Sequence, residues 1–172
     1  MNTNGPPPAR GCKIRRAHRR DAAEIARMSA AFRRELDEPT VGLTEEAVLR
    51  DGFGRRAEFD VFIAETDGLT GGYALFFESY EPTYSERGLY LADLYVKPEC
   101  RRGQLGRALV ASVAAESRRR KRSFVWWVTI ATNSSARAFY ERLGVVAVPV
   151  VAHAAFGDTM EALAASAPPV GR

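Results

Sequence analysis

The apolar positions change their period several times along the chain. Ile25, Met28, Phe32 and Leu36 recur at helical spacing, with Asp21 and Glu24 placed as a capping box, and predict a first helix. Cys12–Ala17 precedes it as a short strand candidate. Thr44, Glu45 and Glu46 start a second, shorter helix that carries Val48 and Leu49 and stops at Asp51-Gly52-Phe53-Gly54. Asp60–Thr66 and Gly72–Phe77 read as strands around an Asp67-Gly68 turn, followed by a polar loop over Glu78–Gly88. Leu89–Val96 is apolar on both faces, the mark of a central strand, and Pro98 ends it. Leu105, Ala108, Leu109 and Val113 mark a third helix that runs into Arg118-Arg119-Arg120-Lys121-Arg122. Ser123–Ala131 is a second strong strand. Asn133 or Ser134 caps a helix with Ala136, Phe139, Tyr140 and Leu143 on one face and Gly144 as its stop. Val145–Phe156 reads as strand-rich, broken at Pro149, and a last helix is expected over Asp158–Ala165.

This order is that of an α/β fold with a mixed, mostly antiparallel sheet flanked by helices. The strand–helix–strand crossover in its middle implies a parallel pair there. The 172 residues suit one domain, expected over 12–165. Residues 1–11, with Gly5-Pro6-Pro7-Pro8, read as a disordered tail, and residues 166–172, with Pro168-Pro169, as a frayed end.

Composition adds exclusions. With 46% hydrophobic and 27% charged residues the chain has a globular balance. No apolar run reaches the ~18–20 residues of a membrane span, and the N-terminus has no signal-peptide core. A cytoplasmic location is the default. Two cysteines and two histidines suit neither a disulfide scaffold nor a zinc site, so no metal is expected. The pI of 9.3 invites a nucleic-acid reading, but the net charge is only +4 and the one basic run lies at a helix C-terminus, where cations complement the dipole. A solvated helix end is the preferred reading, with no nucleic-acid partner.

The chemistry concentrates in the step from strand to helix over Val96–Gly106. A basic, glycine-containing loop leads straight into a helix N-terminus, where free N–H groups and the dipole suit a phosphate. Arg101 and Arg102 add charge-assisted bonds. A plain connection with solvated arginines remains the alternative.

With its surroundings, Arg101-Arg102-Gly103-Gln104-Leu105-Gly106 resembles the acetyl-CoA motif of the GNAT acetyltransferase superfamily, Gln/Arg-x-x-Gly-x-Gly/Ala. Gln104 stands where the first glycine is usual, and Gly103 lies one place earlier. Asn133, Ala136, Phe139, Tyr140 and Gly144 match a second motif helix of that family. Leu43-Thr44-Glu45, Asp51–Gly54, Tyr80-Glu81-Pro82 and Tyr90-Leu91-Ala92-Asp93 are similar to its spermidine/spermine and thialysine N-acetyltransferase branch. Ala92 stands where that branch has a glutamate, a candidate base, while Asp93 remains.

The resemblance implies two central parallel strands that splay to admit acetyl-CoA. It implies a cofactor site of Leu94, Tyr95, Val96, Arg101, Arg102, Gly103, Gln104, Leu105, Gly106 and Arg107, with Asn133, Ala136 and Tyr140. Glu35 and Glu38, in the loop before the second helix, and Glu81, in the following β-loop, match the acidic positions that hold the amine. A homodimer is compatible with the family.

The implied reaction is direct attack of a small cationic or polyamine-like primary amine on acetyl-CoA in a ternary complex. An amine of lysine type has a pKa of ~10.4 and must lose a proton before it attacks, which a carboxylate such as Asp93 can accept. Backbone N–H groups of Leu94–Val96 can meet the oxyanion. Tyr140, protonated at neutral pH, can return a proton to the leaving thiolate. A non-catalytic acyl-CoA-binding module and acetylation of a protein amine are the alternatives.

Overall fold

The computed structural model describes residues 11–38, 42–102 and 104–169. Residues 1–10 of the tail expected over 1–11, residues 39–41, the motif glycine Gly103 and the last three residues lie outside the described residues. The chain divides into two compact units, 1–137 and 138–172.

The first unit holds a sheet in the order β1 (Cys12–Arg16), β2 (Asp60–Thr66), β3 (Leu69–Glu81), β4 (Glu86–Val96) and β5 (Phe124–Trp126). The first three pairings are antiparallel, and β4 and β5 run parallel. Helices α1 (Ala22–Glu35) and α2 (Glu45–Ala47, extended by a π-turn to Gly52) lie on one face, and α3 (Leu105–Arg119) lies on the other. Ile25, Met28, Val48, Val61, Ile63, Tyr73, Leu75 and Tyr95 form the α1-side core. Phe62, Phe76, Leu89, Leu91, Leu105, Leu109 and Val113 form the α3-side core. The expected mixed, mostly antiparallel sheet is what the chain builds, with β4 between its antiparallel and parallel partners.

Several local expectations change. The strand expected over Ser123–Ala131 is only Phe124–Trp126, because β4 offers it a ladder no further than Tyr90. The polar loop over Glu78–Gly88 is mostly hairpin, since β3 and β4 stay paired out to Glu81 and Glu86. Asp21 does stand at the start of α1, but its carboxylate does not cap the helix. It accepts from Arg15 at 2.7 and 2.9 Å and from the His18 N–H, because a guanidinium is a stronger partner than a helix amide. Val145–Phe156 forms no strand. Val146, Val148, Val150 and Val151 are exposed, and β-propensity without a paired edge does not hold a strand.

The second unit contains the end of α4 (Ser134–Leu143), this valine-rich stretch and α5 (Gly157–Ala165). Gly144, at φ +73°, ends α4 as expected. Among the described residues no helix is long and apolar enough to cross a membrane.

The basic run after α3 is paired rather than solvated. Glu116, only 6% exposed, accepts from Arg119 and Arg120 at 2.6 Å and also from Arg16. Asp60 accepts from Arg16 and Arg120, and Glu78 accepts from Arg120 and Arg122. This network joins α3 to β1, β2 and β3. The Arg119 guanidinium, with Arg120 and Arg16, holds the Glu116 carboxyl down at about 2 against the desolvation that opposes it. A depressed carboxylate stabilises the fold above its unfolded pKa and loses that contribution as pH falls toward its folded one. Glu116→Gln is therefore expected to lose about 3 kcal/mol at pH 7 in urea melts, and to lose less further stability than the parent between about pH 4.5 and pH 2. Coincident melts at pH 7 would show that the network is not structural.

Candidate active site

The site begins with a change of phase in β4. Leu89 and Leu91 face α3, and so do Leu94 and Val96, whereas Asp93 and Tyr95 face α1. An odd set becomes an even set only if one residue is looped out. The pairing shows it: Leu75 lies opposite Asp93 and Phe76 opposite Leu91, so Ala92 is a β-bulge. The bulge puts Ala92 on the surface and Asp93 inside.

The parallel ladder to β5 covers only Gly88–Tyr90, against Phe124–Trp126. Beyond it β4 continues to Val96 with that edge unpaired, which is the splay expected of the two parallel strands. Lys97 donates to the Gly71 carbonyl of β3 at 2.9 Å. Alternation along an antiparallel pair then turns the N–H groups of Leu94 and Val96 to the open edge.

At the end of β4 the chain turns through Pro98–Cys100 into α3. Gly71 makes the close packing here possible, since a Cβ on it would lie 2.7 Å from Leu105 Cδ1 and 3.1 Å from Cys100 Sγ. Ala108 is the first residue of α3 to bond back, to Gln104, so the N–H groups of Leu105, Gly106 and Arg107 have no helical partner. Arg101 and Arg102 are exposed beside this end. Arg102 and Gln104 take φ of +69° and +64°, the left-handed region that favours glycine.

Arg101 is held in three ways. Its Nε donates to the Val96 carbonyl at 2.9 Å, its Nη2 donates to Glu35 at 2.5 Å, and its guanidinium lies over the Tyr95 ring. Tyr95 also donates to Glu35, at 3.2 Å. Glu35 is thus the last residue of α1 rather than a loop residue, and it faces the strand-to-helix loop. Glu38, in the turn after α1, accepts from Arg33 at 3.0 Å.

Asp93 is buried, and both of its oxygens are engaged. Arg33 donates to Oδ1, and Tyr73 donates to Oδ2 at 2.7 Å. Burial, with Asp93 alongside, raises the Tyr73 hydroxyl well above its usual range, so it stays a donor. Beside this trio lies a cavity of about 420 Å³ lined by Arg33, Leu43, Glu58, Phe59, Leu75, Phe77, Ala92 and Asp93. Glu58 is exposed there, and no side-chain bond ties its carboxylate among the described residues.

Of the acidic acceptor residues expected from the sequence, only Asp93 lines this cavity. Glu81 lies four residues past Phe77, ~13 Å along β3, where it accepts from the Thr83 N–H. Glu58, Phe59 and Phe77 escaped the sequence reading because nothing periodic marks them. Arg33 carried no such mark either, because the burial of Ser29, one helical turn before it, is set only by the fold. Asn133 caps α4, accepting from the Ala136 N–H at 3.0 Å. Within the second unit the Tyr140 ring contacts Phe139, and burial pushes its hydroxyl up to about 12.

Residues 24–145 match the family described as Acetyltransferase (GNAT). The chain belongs to that family. It is 31% identical over 142 residues to the thialysine N-epsilon-acetyltransferase of Bos taurus, across 76% of this chain and 82% of that one. The Sus scrofa protein of the same name is 32% identical with the same coverage. Among solved structures, an integron cassette protein from the mobile metagenome of V. cholerae matches with a TM-score of 0.76, covering 91% of this chain and 99% of that one. At 18% identity that likeness speaks for the fold. The protein is a GNAT N-acetyltransferase, of a family that depends on acetyl-CoA.

In this acetyltransferase the glycine missing from the family motif has a measurable consequence. Gln104 carries a Cβ where the backbone is left-handed, at a strain of ~1–2 kcal/mol, part of which glycine would return as unfolded-chain entropy. Gln104→Gly is expected to stabilise by ~0.5–1 kcal/mol, and the β-branched Gln104→Val to destabilise by about 1 kcal/mol or more. Thermal melts check both, and equal melting temperatures for all three proteins would contradict the assigned backbone.

Proposed function

We propose that the enzyme transfers the acetyl group of acetyl-CoA to the primary amine of a small cationic molecule, by direct attack in a ternary complex, with the cavity beside Ala92 as the acceptor site. The observation that carries this reading is the cavity itself. It has the volume of a small-molecule site, apolar walls and one untied carboxylate, Glu58, and it adjoins the open edge of β4. The likeness to thialysine N-epsilon-acetyltransferases supports an amine of that size.

On this reading Leu94 and Val96 offer N–H groups to the substrate along the β4 edge. The N-terminus of α3, with Gln104, Leu105, Gly106 and Arg107, receives the pyrophosphate together with Arg101 and Arg102. Tyr95 carries Arg101 on its ring, and Asn133 and Ala136 form the turn that touches the pantetheine arm. Glu35 serves the cofactor loop through Arg101. Asp93, with both oxygens engaged, anchors Arg33 at the wall of the cavity. The acceptor ammonium meets Glu58, and its proton leaves by that carboxylate or an adjoining water. An amide on the β4 edge stabilises the oxyanion. Tyr140 donates the proton that the departing thiolate needs, since burial keeps its hydroxyl protonated at neutral pH.

Thiol release from acetyl-CoA with a panel of primary amines tests the reading. Turnover with small cationic amines is expected. Glu58→Gln should raise the acceptor KM about tenfold and leave the acetyl-CoA KM unchanged, since it removes a charge-assisted contact. Tyr140→Phe should lower kcat by about 100-fold or more with both KM values near those of the parent. Binding of acetyl-CoA without thiol release for any amine would favour the non-catalytic module instead.

A further inference from the structure

Beside the cavity two hydroxyl groups are buried that no step of the proposed reaction uses. Ser29 of α1 and Tyr73 of β3 are both fully enclosed. The Leu43 N–H, just ahead of α2, donates to Ser29 Oγ at 3.1 Å. Ser29 is bonded in turn to the Tyr73 oxygen, and Tyr73 donates to Asp93 Oδ2 at 2.7 Å. Arg33 donates to Asp93 Oδ1 and reaches on to Glu38 at 3.0 Å. Each hydroxyl has one proton. Tyr73 gives its own to the carboxylate, so Ser29 must donate to Tyr73 and accept from Leu43. The backbone packs to the same contact. A Cβ on Gly42 would lie 2.8 Å from Ser29 Oγ and 3.2 Å from the Ser29 carbonyl oxygen, so Gly42 is seated directly against α1 there.

The core does not need these hydroxyls in order to pack. Alanine and phenylalanine would fill nearly the same volumes, and a buried hydroxyl carries a desolvation cost that its bonds exceed only modestly. What a satisfied polar chain adds to apolar contact is direction, because it fixes which atoms meet and how far apart they stand. Both ends of this chain are walls of the cavity. Leu43 lines it at one end, and Asp93 with Arg33 lines it at the other. The chain thus crosses α1, β3 and β4 and joins two walls that have no other reason to keep one separation.

We propose that Ser29 and Tyr73 are positioning residues for the acceptor: through one hydrogen-bond chain they hold Leu43 at a set distance from Asp93 and Arg33, and so fix the shape of the cavity that binds the amine. They act through their neighbours and touch neither substrate nor cofactor. The inference rests on the reading of this cavity as the acceptor site and adds to it the buried residues that set its affinity.

Ser29→Ala and Tyr73→Phe each cut the chain without adding bulk. With the amine that is turned over best, each is expected to raise the acceptor KM about five- to tenfold, with kcat within about twofold and the acetyl-CoA KM at its parent value. The double variant should exceed Tyr73→Phe by no more than about twofold, since both substitutions break one chain. Val113→Ala, in the α3-side core, is the destabilised control and should lower the melting temperature with the acceptor KM unchanged. An acceptor KM that neither substitution moves, an additive double variant, or an equal rise in Val113→Ala overturns the positioning role. A second readout needs no turnover. Exchange of the Leu43 amide, followed by NMR, should quicken about tenfold in Ser29→Ala and severalfold in Tyr73→Phe, and in both by more than in Val113→Ala. Parent-like exchange at Leu43 in both variants overturns the chain itself. Faster exchange at Leu43 without turnover of any amine leaves the chain in place but rejects the acceptor reading and the role built on it, whereas turnover at the parent acceptor KM in both variants rejects the role alone.

Discussion

One extra residue in β4 organises this enzyme. The looped-out Ala92 lets a single strand present Leu89 and Leu91, then Leu94 and Val96, to the α3 core. Without that shift Asp93 would exchange faces with its neighbours and a carboxylate would enter the α3-side core, unpartnered. With it, Asp93 meets Arg33 and Tyr73 on the α1 side. The same irregularity falls just past the end of the short ladder to β5. The edge that carries the Leu94 and Val96 amides is thereby left open beside a small-molecule cavity. Core packing, the buried ion pair and the open edge share one cause.

Arginine–carboxylate pairing sets the rest of the frame. Arg33–Asp93 ties α1 to β4 under the cavity, and Glu116 with Arg16, Arg119 and Arg120 ties α3 to β1. Removing one partner of such a pair leaves a buried charge unmatched, so these contacts specify position more than they add net stability. The Arg101–Glu35 pair differs, being exposed and hence weak. It is a contact that the cofactor loop can give up.

Much of this was legible in the chain. The central strand, the caps at Thr44 and Asn133 and the stop at Gly144 follow from local chemistry that tertiary contacts do not override. The bulge was encoded too, since Leu-Tyr-Leu-Ala-Asp-Leu-Tyr-Val changes phase at Ala92, but a strand apolar on both faces hides its own register. The acceptor side was less legible. Glu35 and Glu38 carry the right charge, but the length of α1 and the reach of Arg33 and Arg101 decide what they face. Glu58 precedes β2 with no pattern around it, and only the folding of the π-turn after α2 toward the sheet brings it to the cavity. Val145–Phe156 misled for the converse reason, because strand propensity means little until an edge is there to pair.

Amide hydrogen exchange along β4, resolved by NMR with and without acetyl-CoA, tests the central claim most directly. Fast exchange is expected at Leu94 and Val96 and slow exchange at Tyr95 in the protein alone, with Leu94 and Val96 slowing once acetyl-CoA is bound. Equal protection of all three amides before addition, or no change at Leu94 and Val96 in a protein shown by thermal shift to bind acetyl-CoA, would contradict it.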